Sequence, residues 1–131
     1  MGAGLEFLKE AGTYFIATSD DGQPQLRPFG SNLEYNGHFY FSTGRSKNVF
    51  KQIIANPKVS IAAMKPERDW IRIVGEAVLD ESEEVRNYLF EQSPRMREMY
   101  QEDASELAVF CLTNATCIIN ESGKEPAEVE L

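Results

Sequence analysis

Apolar and polar residues alternate along much of this chain, and alternation with a period of two is typical of β-strands that bury one face. These segments are rich in β-branched and aromatic residues and are bounded by Gly, Asn, Asp or Pro. The pattern predicts about six strands. They are drawn from residues 13–18, 25–35, 38–42, 58–64 and 70–79, followed by a final pair of segments at 107–112 and 115–120.

A few other segments show the apolar spacing of amphipathic helices. The first covers residues 5–11 and the second covers 47–55. The third begins at Ser82, which is suited to cap a helix, and runs to residue 100 with an interruption at Pro94. Short helices are therefore expected at several places between the strands.

Most of the predicted strands follow one another through short turns, so we expect antiparallel pairing. Closing short antiparallel strands into a barrel removes their exposed edges. The pattern predicts a mainly β protein of the α+β class, a six-stranded antiparallel β-barrel with short flanking helices. Residues 1–131 are expected to form one domain, in which the polar, acidic residues 121–131 form a flexible tail.

Charge narrows the range of possible partners. The composition is 42% hydrophobic and 26% charged, as in ordinary globular domains, but the formal net charge is −8. Such a chain repels nucleic acid and anionic membrane surfaces, so we expect neither as a partner. No apolar run approaches the roughly 20 residues that cross a bilayer. The N-terminus lacks the features of a secretory signal, and a cytoplasmic location is expected.

The two cysteines, Cys111 and Cys117, lie in apolar surroundings, and the only histidine is His38. Their spacing matches no pattern of metal ligands, so no metal site is predicted. Two free, buried thiols are the main interpretation. A disulfide is the alternative, although cysteines six positions apart on one strand are too distant to bridge without a bulge or turn.

One short turn concentrates the polar chemistry of the chain. Ser42, Thr43, Arg45, Ser46 and Lys47 follow the third strand and precede a helix, whose first N–H groups add donors and partial positive charge. Hydroxyls, cations and a helix start together suit a phosphate dianion. A solvated basic surface is the alternative. The positive charge of Lys47 is unfavourable at the positive end of the helix dipole, however, and a bound anion would offset this cost.

A second polar segment, Arg27-Pro28-Phe29, lies in the predicted second strand. If this strand pairs with the third through the Asn36-Gly37 turn, residues whose numbers sum to about 73 face each other. Arg27 would then lie across from Ser46 and alongside the phosphate turn.

Four segments, in this order and spacing, resemble the FMN-binding split barrels related to pyridoxamine 5′-phosphate oxidase. They are Arg27-Pro28-Phe29, the strand from Asn36 to Thr43, Ser46-Lys47-Asn48-Val49 and Asn56-Pro57-Lys58-Val59-Ser60. The resemblance implies a Greek-key-like split barrel with FMN as its cofactor. It also implies a homodimer, with the flavin in a groove between the subunits.

The resemblance further implies which residues contact the flavin ring. Arg27, Pro28 and Phe29 would lie along the ring and offer backbone groups to its polar edge. Trp70 could touch the flavin from the other subunit.

At the other end of the cofactor, Arg45, Ser46 and Lys47 would bind the phosphate. Ser42 and Thr43 would approach the ribityl chain or the phosphate. The resemblance assigns no catalytic side chain.

Two features set this chain apart from the oxidase that names the family. The oxidase carries C-terminal Arg and His residues that clamp its pyridoxal substrate, and the residues after Asn120 offer no equivalent. Pyridoxamine 5′-phosphate oxidation is therefore not expected. The short length and the opening residues are more similar to the small general-stress and nitroimidazole-resistance members.

Together these features predict an FMN-binding oxidoreductase that passes electrons from a reduced nicotinamide or another donor to a small-molecule acceptor. The protein would bind and orient the flavin, which carries the redox chemistry. The alternative is a non-catalytic module that stores or senses flavin or another phosphorylated ligand. Haem or deazaflavin on the same fold stays open, although His38 lies at the far end of its strand from the phosphate turn.

Overall fold

The computed structural model describes residues 2–131, and strands are its most extensive secondary structure. The eight strands are β1 Tyr14–Asp20, β2 Gln23–Phe29, β3 Leu33–Tyr35, β4 His38–Gly44, β5 Lys58–Met64, β6 Trp70–Leu79, β7 Leu107–Asn120 and β8 Ala127–Val129. The helices are α1 Ala3–Ala11, α2 Asn48–Ala55, α3 Glu83–Gln92 and α4 Pro94–Met99. A single 3-10 turn, Ala104–Glu106, precedes β7.

All the strands join one sheet in the order β2-β1-β5-β6-β7-β4-β3, with β8 added beside β7. Every pairing is antiparallel, which confirms the predicted mainly β, antiparallel class. The prediction of six strands was wrong, since the described residues form eight. The predicted segments and the observed strands differ in three places: a break inside the predicted second strand, the fusion of the two predicted final segments into one strand, and a further strand near the C-terminus.

The predicted second strand is two strands, because the chain leaves extended pairing between Phe29 and Leu33. β3 pairs with β4 through the Asn36-Gly37 turn, and Leu33 faces Tyr40, so the predicted sum of 33 + 40 = 73 holds there. β2 instead pairs with β1, which places Arg27 opposite Ile16. The predicted position of Arg27 across from the phosphate turn was therefore wrong.

The C-terminal part also differs from its expected form. The two predicted final strands are one continuous strand, β7. The segment expected to be a flexible tail returns to the sheet, where Val129 of β8 faces Cys117 of β7. The Glu130 carbonyl then accepts a hydrogen bond from the Gly4 N–H at 2.9 Å. Backbone pairing thus holds this segment despite its polar composition.

The core lies inside the curved sheet and is rich in aromatic side chains. Tyr14, Phe39, Phe41 and Phe110 are fully buried there, and Phe41 stacks on Phe110 with ring centroids 5.5 Å apart. Apolar residues of α1 and α2 join this cluster. A second, smaller cluster forms on the opposite face of β4 and β7, where α3 packs. The strand β4 is therefore buried on both faces.

The sheet does not close by backbone hydrogen bonds, since β2 and β3 are its two edges. Side chains and one loop bridge the opening. Tyr14 Oη donates to the Ser31 carbonyl at 2.7 Å, and the Ser42 N–H donates to Ser31 Oγ at 3.1 Å. The rings of Phe29 and Phe41 pack edge to face at 5.9 Å. These contacts hold β2 against β4 without strand pairing.

Within the described part of the chain, none of the helices has the length and apolar character needed to cross a membrane.

A β-bulge at Gly75 bends β6, as its glycine suggests. Val74 faces Thr116, but Glu76 faces Thr113, so the register shifts across Gly75. A Cβ atom at this position would lie 2.9 Å from the Thr113 carbonyl oxygen. The absence of a side chain is thus required for β6 and β7 to approach each other here.

We expect Gly75→Ala to lower the free energy of unfolding by about 1–3 kcal/mol, because the added methyl group meets backbone that cannot rotate away. Gly30→Ala is the matched control, since a Cβ there has no atom within 4 Å, and a change below about 0.5 kcal/mol is expected. Urea unfolding of the two variants measures both values. Equal stabilities would contradict the close approach at Gly75.

Candidate functional site

The donor-rich turn lies between β4 and α2, where the sequence predicts it. Lys47 is the N-cap residue of α2, and its N–H donates to the Gly44 carbonyl at 3.1 Å. No side chain caps this helix, and its first turn contains no acidic residue. The first N–H groups of α2 therefore lack the side-chain acceptors that usually satisfy them.

The Lys47 side chain is exposed and forms no ion pair with any residue in the described range 2–131. Placed at the positive end of the helix dipole, this ammonium group raises the local positive potential. The turn combines a cation with free backbone donors, which is the arrangement that favours an anion.

The turn already contacts one anionic group, the carboxylate of Glu106. Ser46 Oγ donates to Glu106 Oε2 at 2.5 Å, and the Ser46 N–H donates to Oε1 at 3.1 Å. The Arg45 N–H donates to the Glu106 carbonyl at 2.7 Å. Glu106 was not identified from the sequence, because it lies 60 residues from Ser46 and no local pattern predicts the contact.

Arg45 is engaged by contacts within the protein. Its guanidinium forms an ion pair with Glu81 at 2.7 Å and donates from Nε to the Ser105 carbonyl at 2.8 Å. It also lies over the ring of Phe50, 5.4 Å from the centroid. Of the basic residues in the turn, Lys47 is thus the one left available to a ligand.

Nearby, partial burial and then the charge of Glu106 raise the pKa of Tyr100. A Cβ on Gly44 would come within 3.0 Å of Glu106 Oε2, so the carboxylate packs directly on the turn backbone. Glu106 is therefore part of the turn's structure as well as its electrostatics.

Ser42 and Thr43 point to opposite faces of β4. Thr43 is buried on the same face as Phe41, while Ser42 faces the α3 side, where it lines a cavity of about 10 Å³ together with Leu89 and Val109. Ser42 Oγ is buried there without a hydrogen-bond partner among the described residues. The hydroxyls of Ser42 and Thr43 therefore do not lie together with the Ser46 hydroxyl of the turn.

Arg27 reaches α2 from the other side of the fold, across β1. Its Nη1 donates to Thr18 Oγ1 at 2.9 Å and to the Ile16 carbonyl at 3.2 Å, and Nη2 donates to Gln52 Oε1 at 2.8 Å. Gln52 is one helical turn from Asn48, the first residue of α2. Partial burial lowers the pKa of Arg27. Arg27 thus contacts α2 one turn after its first residue, by a route the sequence did not predict.

The neighbours of Arg27 in β2 separate onto the two faces of the strand. Phe29 turns inward and packs against Tyr14 and Phe41. Pro28 is exposed on the outer face, opposite Phe15 of β1. Only Arg27 and the backbone of this segment are therefore directed towards the region near α2.

Trp70 lies on the outer face of the sheet, in an apolar groove of about 500 Å³. Phe15 and Met64 line the same groove, and the guanidinium of Arg72 lies 4.9 Å from the Trp70 ring centroid. The predicted site residues therefore occupy separate places: the turn, the flank of α2, the interior and this outer groove.

The two cysteines are free, as the main interpretation of the sequence predicted. Burial raises the pKa of Cys117 to about 11, with a further contribution from Glu128, and burial also raises the pKa of Cys111. Neither thiol is activated as a nucleophile. In the described part of the chain, no group of His, Cys, Asp or Glu side chains could hold a metal ion.

Comparison with known proteins gives one family and several similar structures. The profile of the pyridoxamine 5′-phosphate oxidase family matches residues 3–117. A NimC/NimA family protein from Clostridium acetobutylicum is 38% identical, with 97% of this chain and 89% of that chain covered and a TM-score of 0.91. Comparison with curated proteins gives no match.

Two more distant structures share the fold alone. A protein from Clostridium acetobutylicum related to general stress protein 26, of the pyridoxinephosphate oxidase family, is 15% identical, with 94% of this chain and 89% of that chain covered and a TM-score of 0.74. A heme binding protein from Mycobacterium smegmatis is also 15% identical, with a TM-score of 0.76. That match covers 95% of this chain and 55% of that chain.

We expect Glu106→Ala and Ser46→Ala each to destabilise the fold, because a charge-assisted hydrogen bond joins the two side chains. The double variant should lose about 1 kcal/mol less than the sum of the single losses, allowing for the solvent exposure of Ser46. Urea unfolding of the four proteins in the cycle measures this coupling. Strictly additive losses would show that the contact contributes nothing to stability.

Proposed function

Because this chain belongs to the pyridoxamine 5′-phosphate oxidase family, we propose that it is an FMN-binding flavoprotein that acts as an oxidoreductase. The observation that carries this proposal is the start of α2, which has, among residues 2–131, no side-chain cap, no acidic residue in its own first turn and an exposed Lys47 without an ion-pair partner. A phosphate dianion would satisfy the free N–H groups and offset the lysine charge.

The donor set of this region fits the phosphate of FMN. The Ser46 N–H and hydroxyl already donate to a carboxylate, so the turn backbone is arranged to accept an anion. Lys47 and the first N–H groups of α2 would hold the phosphate, with Arg27 on the flank of the helix. Ser42 and Thr43 precede the turn on β4, and since their side chains point to opposite faces of the strand, it is their backbone that would lie nearest the ribityl chain.

At the other end of the cofactor, the backbone of Pro28 and Phe29 would run along the flavin ring. The aromatic pair formed by Phe29 and Phe41 keeps this part of β2 beside β4. When bound, the flavin supplies the redox chemistry, and the residues of this chain bind and orient it. A small molecule is the proposed electron acceptor, and pyridoxamine 5′-phosphate oxidation is not proposed.

We propose that two copies of the chain pair through the outer face of the sheet. On this face, Phe15, Ala62 and Arg72 are cross-strand neighbours in β1, β5 and β6. Leu26 of β2 and Ala17 of β1 form a further cross-strand pair. Leu26 is 67% exposed, Met64 61%, Val74 48% and Phe15 45%. A continuous apolar surface of this kind is typical of an interface between subunits. In such a dimer Trp70, which lines the groove, would approach the flavin of the other subunit.

A non-catalytic role in storing or sensing flavin uses the same binding site. Steady oxidation of a reduced nicotinamide in the presence of an acceptor supports the oxidoreductase, and binding without turnover supports the sensing role. A haem ligand would require an axial side chain, and His38 is exposed at the far end of β4 from the turn. The absorption spectrum of the purified protein separates flavin from haem.

We expect FMN to bind the wild-type protein, and Lys47→Ala to weaken that binding by about tenfold, because a cation that contacts the phosphate is lost. Riboflavin lacks the phosphate, so its affinity should be unchanged. Quenching of flavin fluorescence during titration measures both dissociation constants.

Lys124→Ala is the matched control for this experiment. It removes the same charge from an exposed residue that pairs with Glu121, remote from α2 in the sequence, and FMN affinity should not change. Failure of the wild-type protein to bind added FMN would overturn the proposed function.

For the proposed dimer, sedimentation velocity should give about twice the mass of the 14.8 kDa chain. Val74→Glu places a charge in the centre of the outer face and should produce monomers, since an unpaired buried charge is costly. Met99→Glu alters an exposed apolar residue of α4 and should leave the dimer intact. A monomeric wild-type protein would contradict this interface.

A further inference from the structure

Arg27 is held in an unusual way for a partly buried cation in an acidic protein. Its described hydrogen bonds go to neutral oxygen atoms: the Thr18 hydroxyl, the Gln52 amide and the Ile16 carbonyl. The chain contains 21 acidic residues against 13 lysines and arginines, yet none of the ion pairs within residues 2–131 involves Arg27. Its positive charge is therefore oriented but not compensated.

The side chains of Arg27, Thr18 and Gln52 are all hydrogen-bonded to one another. Thr18 is 4% exposed, and its Oγ1 accepts from Arg27 while donating to Gln52 Oε1 at 2.6 Å. The same Gln52 oxygen accepts from Arg27 Nη2 at 2.8 Å. Since the acceptors lie on two different elements, β1 and α2, they restrict the guanidinium to one orientation.

This set joins α2 at Gln52, in the second turn of the helix. Side chains on a helix lean towards its N-terminus, so the amide of Gln52 covers the turn that begins at Asn48. The guanidinium bound to that amide is consequently directed towards the N-terminal turn of the helix. Lys47 approaches the same N-terminus from the preceding turn.

We propose that Gln52 and Thr18 are positioning residues, an inference that rests on the proposed FMN site. They hold the uncompensated charge of Arg27 beside the α2 N-terminus, so that the site selects a phosphorylated flavin over its unphosphorylated form. A neutral amide at position 52 is essential to this role. A carboxylate of the same shape would form an ion pair with Nη2 of Arg27 and cancel the charge offered to the ligand.

Gln52→Glu tests this directly, because it keeps the acceptor oxygen and adds one negative charge. We expect its FMN dissociation constant to rise about tenfold or more, while the riboflavin dissociation constant stays within about twofold. The melting temperature should stay equal or rise, since Arg27 gains an ion-pair partner. Gln101→Glu adds the same charge at an exposed residue outside the helices and should bind FMN like the wild type.

Gln52→Leu separates positioning from a purely structural role. It removes the acceptor but leaves Arg27 charged, so we expect FMN affinity to fall by less than in Gln52→Glu, about two- to fourfold. A structural role predicts the opposite order, with Gln52→Leu the more damaging variant and Gln52→Glu harmless to FMN binding. That order, with FMN bound by the wild type, overturns this inference alone. Absence of FMN binding to the wild-type protein overturns the proposed function and this inference with it.

Discussion

Pairing of β4 with β7 determines the surroundings of the proposed phosphate site. Gly44, the last residue of β4, faces Leu107, the first residue of β7, so the turn after one strand meets the segment before the other. This register brings Glu106 to Ser46, although 60 residues separate them. Because β7 also pairs with β6, the turn is anchored to the centre of the sheet. Its donors are therefore oriented before a ligand arrives, which reduces the entropy lost on binding.

The distribution of charge is compatible with the proposed phosphate site, although the net charge of the chain is −8. Arg45 and Lys65 are neutralised locally by Glu81 and Glu10. Around the start of α2, by contrast, Arg27 is held by neutral oxygen atoms. Long-range repulsion of an anion by the whole protein is screened within about 10 Å at ordinary ionic strength. Uncompensated cations near the site then determine whether the anion binds.

Local signals predicted those parts of the fold that depend on neighbouring residues. Asn36 and Gly37 adopt the positive φ values, 52° and 76°, that their turn requires, and Gly75 marks the bulge in β6. Prediction failed for the partner of β2. The loop between Phe29 and Leu33 frees β2 to pair with β1, and the choice between two possible partner strands depends on packing across the whole sheet. A short sequence motif contains no information about that packing.

The sequence by itself determined an antiparallel, mainly β protein and a donor-rich turn between residues 42 and 47, because alternation, turn residues and helix starts act over a few positions. It also contained the motifs of the family. Only the tertiary structure decided that Arg27 reaches α2 through Gln52, that Glu106 contacts Ser46, and that Trp70 lies in an outer groove. These contacts join segments far apart in the chain, and sheet order, set by the burial of all the strands together, brings them into place.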